Sequence, residues 1–181
     1  MTRKILVFGD SYVHEKWGIV HGAGFNYSWT TILKENGAYF SNVGYPGGTP
    51  NSMFYQYIYA GSKPQIVVWG VGMNNAADSD NNTPNSGWLN NLNAAVSFAK
   101  FIGALLIPCT IPSTPSKNHS AKSKYIREHF ERYIDFDYIL TGISSTWKTG
   151  YLASDNVHPT ALGFEAMSIQ AVKDVPEFFN R

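Results

Sequence analysis

Lys4-Ile5-Leu6-Val7-Phe8-Gly9-Asp10-Ser11 is the stretch on which the reading of this chain turns. Four consecutive apolar residues so near the first residue predict a fully buried strand, and Gly-Asp-Ser breaks it abruptly. A serine is thereby presented at a strand's carboxyl end. In an open parallel α/β sheet ligands bind outside that end, so Ser11 stands where a nucleophile is useful. Gly-Asp-Ser is also ordinary turn chemistry. Only convergence with residues from elsewhere in the chain makes it a site.

Working outward, the pattern predicts a helix over 27–34, stopped by Asn36-Gly37, and a short strand over 38–42. A run of turn formers follows at 43–50, then a helix at 51–60. Gln65-Ile66-Val67-Val68-Trp69-Gly70 is a β-branched run bounded by Pro64 and glycine, which suits a central strand. Leu89, Leu92, Val96 and Ala99 recur at helical spacing, 104–107 is a fourth strand, and a charged amphipathic helix spans 121–133. Asp137-Tyr138-Ile139-Leu140-Thr141 is the fifth strand candidate. A last helix, with Pro159 at its first position, runs on Leu162, Ala166, Ile169 and Val172 to Pro176.

Strand and helix thus alternate with connections of crossover length, which implies a parallel sheet covered on both faces. The right-handed crossover rule leaves few topologies. The simplest is a three-layer α/β, flavodoxin-like arrangement of five strands in the order 2-1-3-4-5, as one domain over residues 1–181.

Composition narrows the function. With 14 Lys plus Arg against 13 Asp plus Glu, the net charge of +1 offers no footprint for nucleic acid or an anionic membrane. A small-molecule or carbohydrate partner is expected, with no nucleic acid and no membrane. The single cysteine, Cys109, excludes an internal disulfide framework or a multi-cysteine metal site, and reads as a buried small hydrophobe. No apolar run has the length of a secretory or membrane-spanning segment, so a soluble cytoplasmic protein without a signal peptide is expected. Aromatic residues reach 15%, more than a core of this size needs, which points to aromatic walls at a surface site. Tyr12 and Trp17 on one side, and Trp147 and Tyr151 on the other, are candidates for substrate binding. His14, His21, His119 and His129 lack metal-ligand spacing and read as surface or structural, so no metal is expected.

The loops after successive strands share one rim of such a sheet. Ser11 follows the first strand, Gly47 the second, Asn74 the third, and Asp155-Asn156-Val157-His158-Pro159 lies after the fifth. Serine is a weak nucleophile and needs a base, which His158 supplies. Asp155 precedes it by three residues, a spacing at which a tight turn can bring the carboxylate to Nδ1, fixing the tautomer and stabilising the imidazolium. An oxyanion needs donors already in place, and the N–H groups of Ser11 and Gly47 and the side-chain amide of Asn74 are candidates, with Gly44 an alternative to Gly47.

Those residues resemble the SGNH hydrolases, the GDSL esterase/lipase family. Gly9-Asp10-Ser11 is similar to its nucleophile block, Asn42-Val43-Gly44-Tyr45-Pro46-Gly47-Gly48-Thr49 to its glycine block, Gly72-Met73-Asn74-Asn75 to its asparagine block, and Asp155-x-x-His158-Pro159 to its last block. Gly48 and Asn75 depart from it, each standing where the family commonly has Asp, which bears on loop geometry. The resemblance implies Ser11, Gly47, Asn74 and His158 as the four naming residues, Asp155 as the third member of the triad, and hydrolysis of esters or thioesters without a cofactor. The expected activity is that of a serine esterase acting on short acyl, above all acetyl, esters through an acyl-enzyme, with carbohydrate O-acetyl groups as one substrate class. The alternatives are an acyl-thioesterase, or a silent carbohydrate- or protein-binding module on the same fold.

Overall fold

The computed structural model of the protein describes residues 4–14, 28–48, 63–144 and 146–179. Strand β1 (Ile5–Gly9) is buried along its whole length, as a parallel strand covered on both faces must be. β2 (Ser41–Asn42) pairs on one side of it and β3 (Ile66–Gly70) on the other, with β4 (Leu105–Pro108) beyond β3. All pairings are parallel and the order is β2-β1-β3-β4. Gly9 lies opposite Gly70, so β1 and β3 end level. From β1 the chain goes on to β2 on one side and from β3 to β4 on the other, and such a switch opens the crevice in which ligands bind.

Helices flank the sheet in two packed groups. In one, Trp29 of α1 (Trp29–Glu35) packs against Phe136, which starts α4 (Phe136–Thr141), with ring centroids 5.2 Å apart, and against Phe178 at 6.0 Å. α5 (Ala161–Asp174) completes this group with the fully buried Phe164. In the other, Trp88 of α2 (Ser86–Ile102) bridges Trp69 of β3 and Tyr125 of α3 (Ser120–His129). Removing such a ring costs about 3–5 kcal/mol, because the cavity collapses only in part. α2 is bounded by chemistry visible in the sequence: the Asn85 side chain accepts from the Trp88 N–H, and Gly103 takes the left-handed conformation that stops it.

The expected 2-1-3-4 order holds, while the fifth strand is a correction. Residues 137–141 belong to α4, and the fifth position of the sheet is reduced to a single parallel bridge between Cys109 and Ile134. Asp135 explains the change: its carboxylate caps the Tyr138 N–H and pairs with Arg127, which also grips Asp137. Two carboxylates at the start of a short apolar run favour a helix over a strand. β2 is shorter than predicted because the Tyr39 N–H is taken by the Phe178 carbonyl instead of the sheet. The last helix begins with Thr160 as its cap, so Pro159 precedes the helix instead of starting it. The predicted helix at 51–60 lies outside the described residues.

Candidate active site

Asp10 builds the turn that presents the serine. Its carbonyl accepts from the N–H groups of Val13 and His14, closing a tight turn directly after β1. Its carboxylate accepts from the Tyr12 N–H at 3.1 Å and from the N–H groups of Gly72 and Met73 at 3.4 and 3.3 Å. One buried side chain thereby ties the nucleophile turn to the loop after β3. Burial pushes the Asp10 carboxyl up to about 6, against the opposing pull of these backbone donors.

Ser11 Oγ lies 2.9 Å from His158 Nε2, and His158 Nδ1 lies 2.7 Å from Asp155 Oδ2. The other carboxylate oxygen of Asp155 accepts from the N–H groups of Val157 and His158, both at 2.9 Å. Burial alone would raise the Asp155 carboxyl, but these backbone donors and the His158 ring hold it below its ordinary value. An ionised Asp155 keeps the ring proton on Nδ1. That leaves Nε2 as an acceptor for the serine hydroxyl.

Local folding explains how three residues suffice to bring Asp155 to His158. Asn156 adopts a left-handed φ of 59°, which asparagine tolerates better than most residues, and its N–H closes on the Ala153 carbonyl. On the far side, Leu152 bridges Pro159, and the Ala153 N–H donates to the His158 carbonyl. Tyr12 supports the base from below: its hydroxyl donates to the Val157 carbonyl and its ring lies 5.7 Å from that of His158. Burial, with the charges of Asp10 and Asp155, pushes this phenol well above its ordinary value. Tyr12 is therefore a buried brace, and its side chain also lines the small cavity behind the turn.

The glycine and asparagine segments meet the turn from either side. Gly47 takes a left-handed φ of 71° at an exposed position with open space around it. Gly48 is pressed against β1, where an added Cβ would lie 3.0 Å from the Gly9 carbonyl oxygen and 2.8 Å from that of Tyr45. The Asp that the resemblance leads one to expect at 48 has no room in this conformation. Asn74 Nδ2 donates to the Gly48 carbonyl at 3.2 Å, joining the two segments. Gly44 is committed elsewhere, since its N–H donates to Asn42 Oδ1 at 2.7 Å.

Two cavities lie among the loops that follow the strands, and neither is lined by Ser11, Asp155 or His158 themselves. One, of about 20 Å³, lies behind the turn between Asp10, Trp29, Met73 and Ile111, and has room for a water molecule. The other, of about 400 Å³, opens between Ser113, Thr114, Trp147, Lys148 and Leu152. The Trp147 indole N–H donates to the Ser113 carbonyl at 2.6 Å, pinning one wall to the other. Tyr151 is half-buried under the Lys148 ammonium, 5.9 Å from it, and stands apart from the lining of that cavity. Trp17 and His21 lie outside the described residues. Asp10 as an organiser went unrecognised in the sequence, although its place beside Ser11 was the available signal. Among the described residues no group of His, Cys, Asp and Glu could hold a metal ion, and no helix is long and apolar enough to cross a membrane.

Comparison with known proteins agrees with this fold. The model of the GDSL-like lipase/acylhydrolase family matches residues 7–166. A member of the lipolytic protein G-D-S-L family from Veillonella parvula DSM 2008 superposes with a TM-score of 0.69 at 19% identity, over 94% of this chain and 96% of that one. The psychrotrophic esterase EstA from Pseudoalteromonas sp., in a structure inhibited by monoethylphosphonate, gives 0.68 at 17% identity over 99% and 100%. The lipase/acylhydrolase from Enterococcus faecalis gives 0.68 at 22% identity over 96% and 95%. At these identities the likeness shows a shared fold. No curated protein sequence matches the chain.

Proposed function

As a hydrolase of the GDSL-like lipase/acylhydrolase family, to which this chain belongs, the protein cleaves ester-class bonds, and we propose that it is a serine esterase acting on short acyl esters through a covalent acyl-enzyme. The observation that carries this reading is the in-line relay of Ser11, His158 and Asp155 at 2.9 and 2.7 Å. Ser11 Oγ attacks the carbonyl carbon while His158 Nε2 takes its proton. The resulting oxyanion is met by the N–H groups of Ser11 and Gly47 and by the Asn74 amide. His158 then returns the proton to the leaving alcohol as the carbon–oxygen bond breaks, and water repeats the sequence to release the acid. Gly47 is favoured over Gly44 as a donor because the Gly44 N–H is already engaged by Asn42.

Acetyl is the acyl group we favour: the cavity behind the nucleophile turn has room only for a water molecule, at about 20 Å³, and offers no channel there for an acyl chain. The larger cavity, with its hydroxyls and Trp147, suits a sugar as the leaving alcohol. A module that only binds carbohydrate has no use for a serine hydrogen-bonded to an oriented histidine. The test is hydrolysis of p-nitrophenyl acetate, butyrate and octanoate by wild type and Ser11→Ala. We expect rates that fall with chain length and a loss of at least about 10³-fold in the variant. Equal rates in wild type and variant would overturn the mechanism, and a preference for octanoate would overturn the short-acyl assignment.

A further inference from the structure

Next to the segment that carries Asn74 lies a charged cluster with no part in the proton relay. Lys122 and Asp78 are both fully covered at their side chains, with Lys122 Nζ 2.8 Å from Asp78 Oδ1. An ammonium has three hydrogens to place, and those of Lys122 reach Asp78 Oδ1 at 2.8 Å, the Ala76 carbonyl at 2.8 Å and His119 Nδ1 at 3.0 Å. All three are spent. His119, buried, must therefore accept at Nδ1 and carry its proton on Nε2, which finds no hydrogen-bond partner among the described residues. Asp78 is as fully engaged: its carboxylate also accepts from the N–H groups of Asn85 at 2.9 Å and Lys122 at 3.1 Å, and its own N–H donates to the Asn118 carbonyl.

A buried ion pair with an unpartnered N–H beside it is a poor device for stability, since apolar residues of similar volume would serve as well. Its geometry suggests another use. The bonds that leave the cluster tie the loop after β3 and the starts of α2 and α3 to the loop after β4, where the His119 N–H donates to Ser113 Oγ at 2.8 Å. Lys122 holds Ala76 and Asp78, and Lys117 Nζ holds the Met73 carbonyl at 3.3 Å. From the opposite side Asp10 holds the N–H groups of Gly72 and Met73. Asn74 stands between these anchors, exposed, with its side-chain amide tied to the Gly48 carbonyl.

We infer that Lys122 is a positioning residue for the oxyanion-binding amide of Asn74, with Asp78 and His119 orienting its ammonium. This rests on the role proposed for Asn74 above. A donor displaced by a fraction of an ångström loses most of its value, because its contribution depends on being in place before charge develops. Lys122 fixes the loop backbone from within, and the amide inherits that placement.

The test is a double-mutant cycle in kcat for p-nitrophenyl acetate, with Lys122→Met, Asn74→Ala and the pair. Lys122→Met is expected to lower kcat by about 10- to 100-fold while KM stays within about threefold. In the Asn74→Ala background the same substitution is expected to cost less than about threefold, because the group it positions is gone. Equal losses in both backgrounds, or an unchanged kcat in a folded Lys122→Met protein, would overturn the inference. Should Lys122→Met not fold, the charge-neutral pair Asp78→Asn with Lys122→Met enters the same cycle. Failure of both to fold would assign the cluster to stability alone and overturn it equally. An inert wild type, or a Ser11→Ala variant of full activity, would instead strike the esterase reading.

Discussion

Asp10 does more at this site than its small size suggests, because it must accept hydrogen bonds from both the nucleophile turn and the asparagine loop while buried. Its carboxyl, at about 6 when folded against an ordinary 3.8, binds its proton more tightly in the folded chain. The stabilisation linked to this group is therefore complete below its ordinary value and is lost as the pH rises to about 6. The difference is on the order of 3 kcal/mol. Measured by urea unfolding, the stability of wild type minus that of Asp10→Asn should fall between about pH 4 and about pH 6 and then level off. A difference that is flat or rising over that interval would contradict the assignment. At this scale the sequence was most legible where chemistry is local: Asp155 and His158 are three residues apart, and their contact follows from a single turn. Lys122 was illegible for the opposite reason. A lysine on a charged helix reads as solvated, and only the packing of three segments around it buries the ammonium.

At the scale of elements, the site depends on where helices begin. α5 starts three residues after the catalytic histidine candidate, and Thr160 sets that start twice over: its hydroxyl accepts from the Gly163 N–H at 3.2 Å and donates to the Gly150 carbonyl at 2.6 Å. Thr160→Ala should lower unfolding stability by about 1 kcal/mol, with most of it kept in Thr160→Ser, as chemical denaturation can measure. An alanine variant as stable as wild type would show that the cap contributes nothing. Strands β1, β3 and β4 were legible because uninterrupted β-branched and apolar runs bounded by glycine or proline leave few alternatives. The run at 137–141 was ambiguous, since five apolar and polar residues fit a strand or a helix turn equally. What decides it is Arg127, ten residues away from Asp137 and invisible to a local pattern.

For the molecule as a whole, the order of strands was readable from alternation and crossover handedness, because a parallel sheet with short connections admits few arrangements. What alternation could not reveal is how little of a fifth strand is needed once Ile134 makes its single bridge beside β4. The consequence for function is convergence: Ser11 and His158 are 147 positions apart in the chain, and only the completed fold sets them 2.9 Å from each other. The most direct test of that convergence is reaction of the intact protein with a fluorophosphonate, followed by mass spectrometry of the whole chain and of its peptides. A single adduct on the peptide bearing Ser11, absent from Ser11→Ala and much slowed in His158→Ala, is the predicted result. No adduct on the folded wild type, or an adduct that persists in Ser11→Ala, would contradict it.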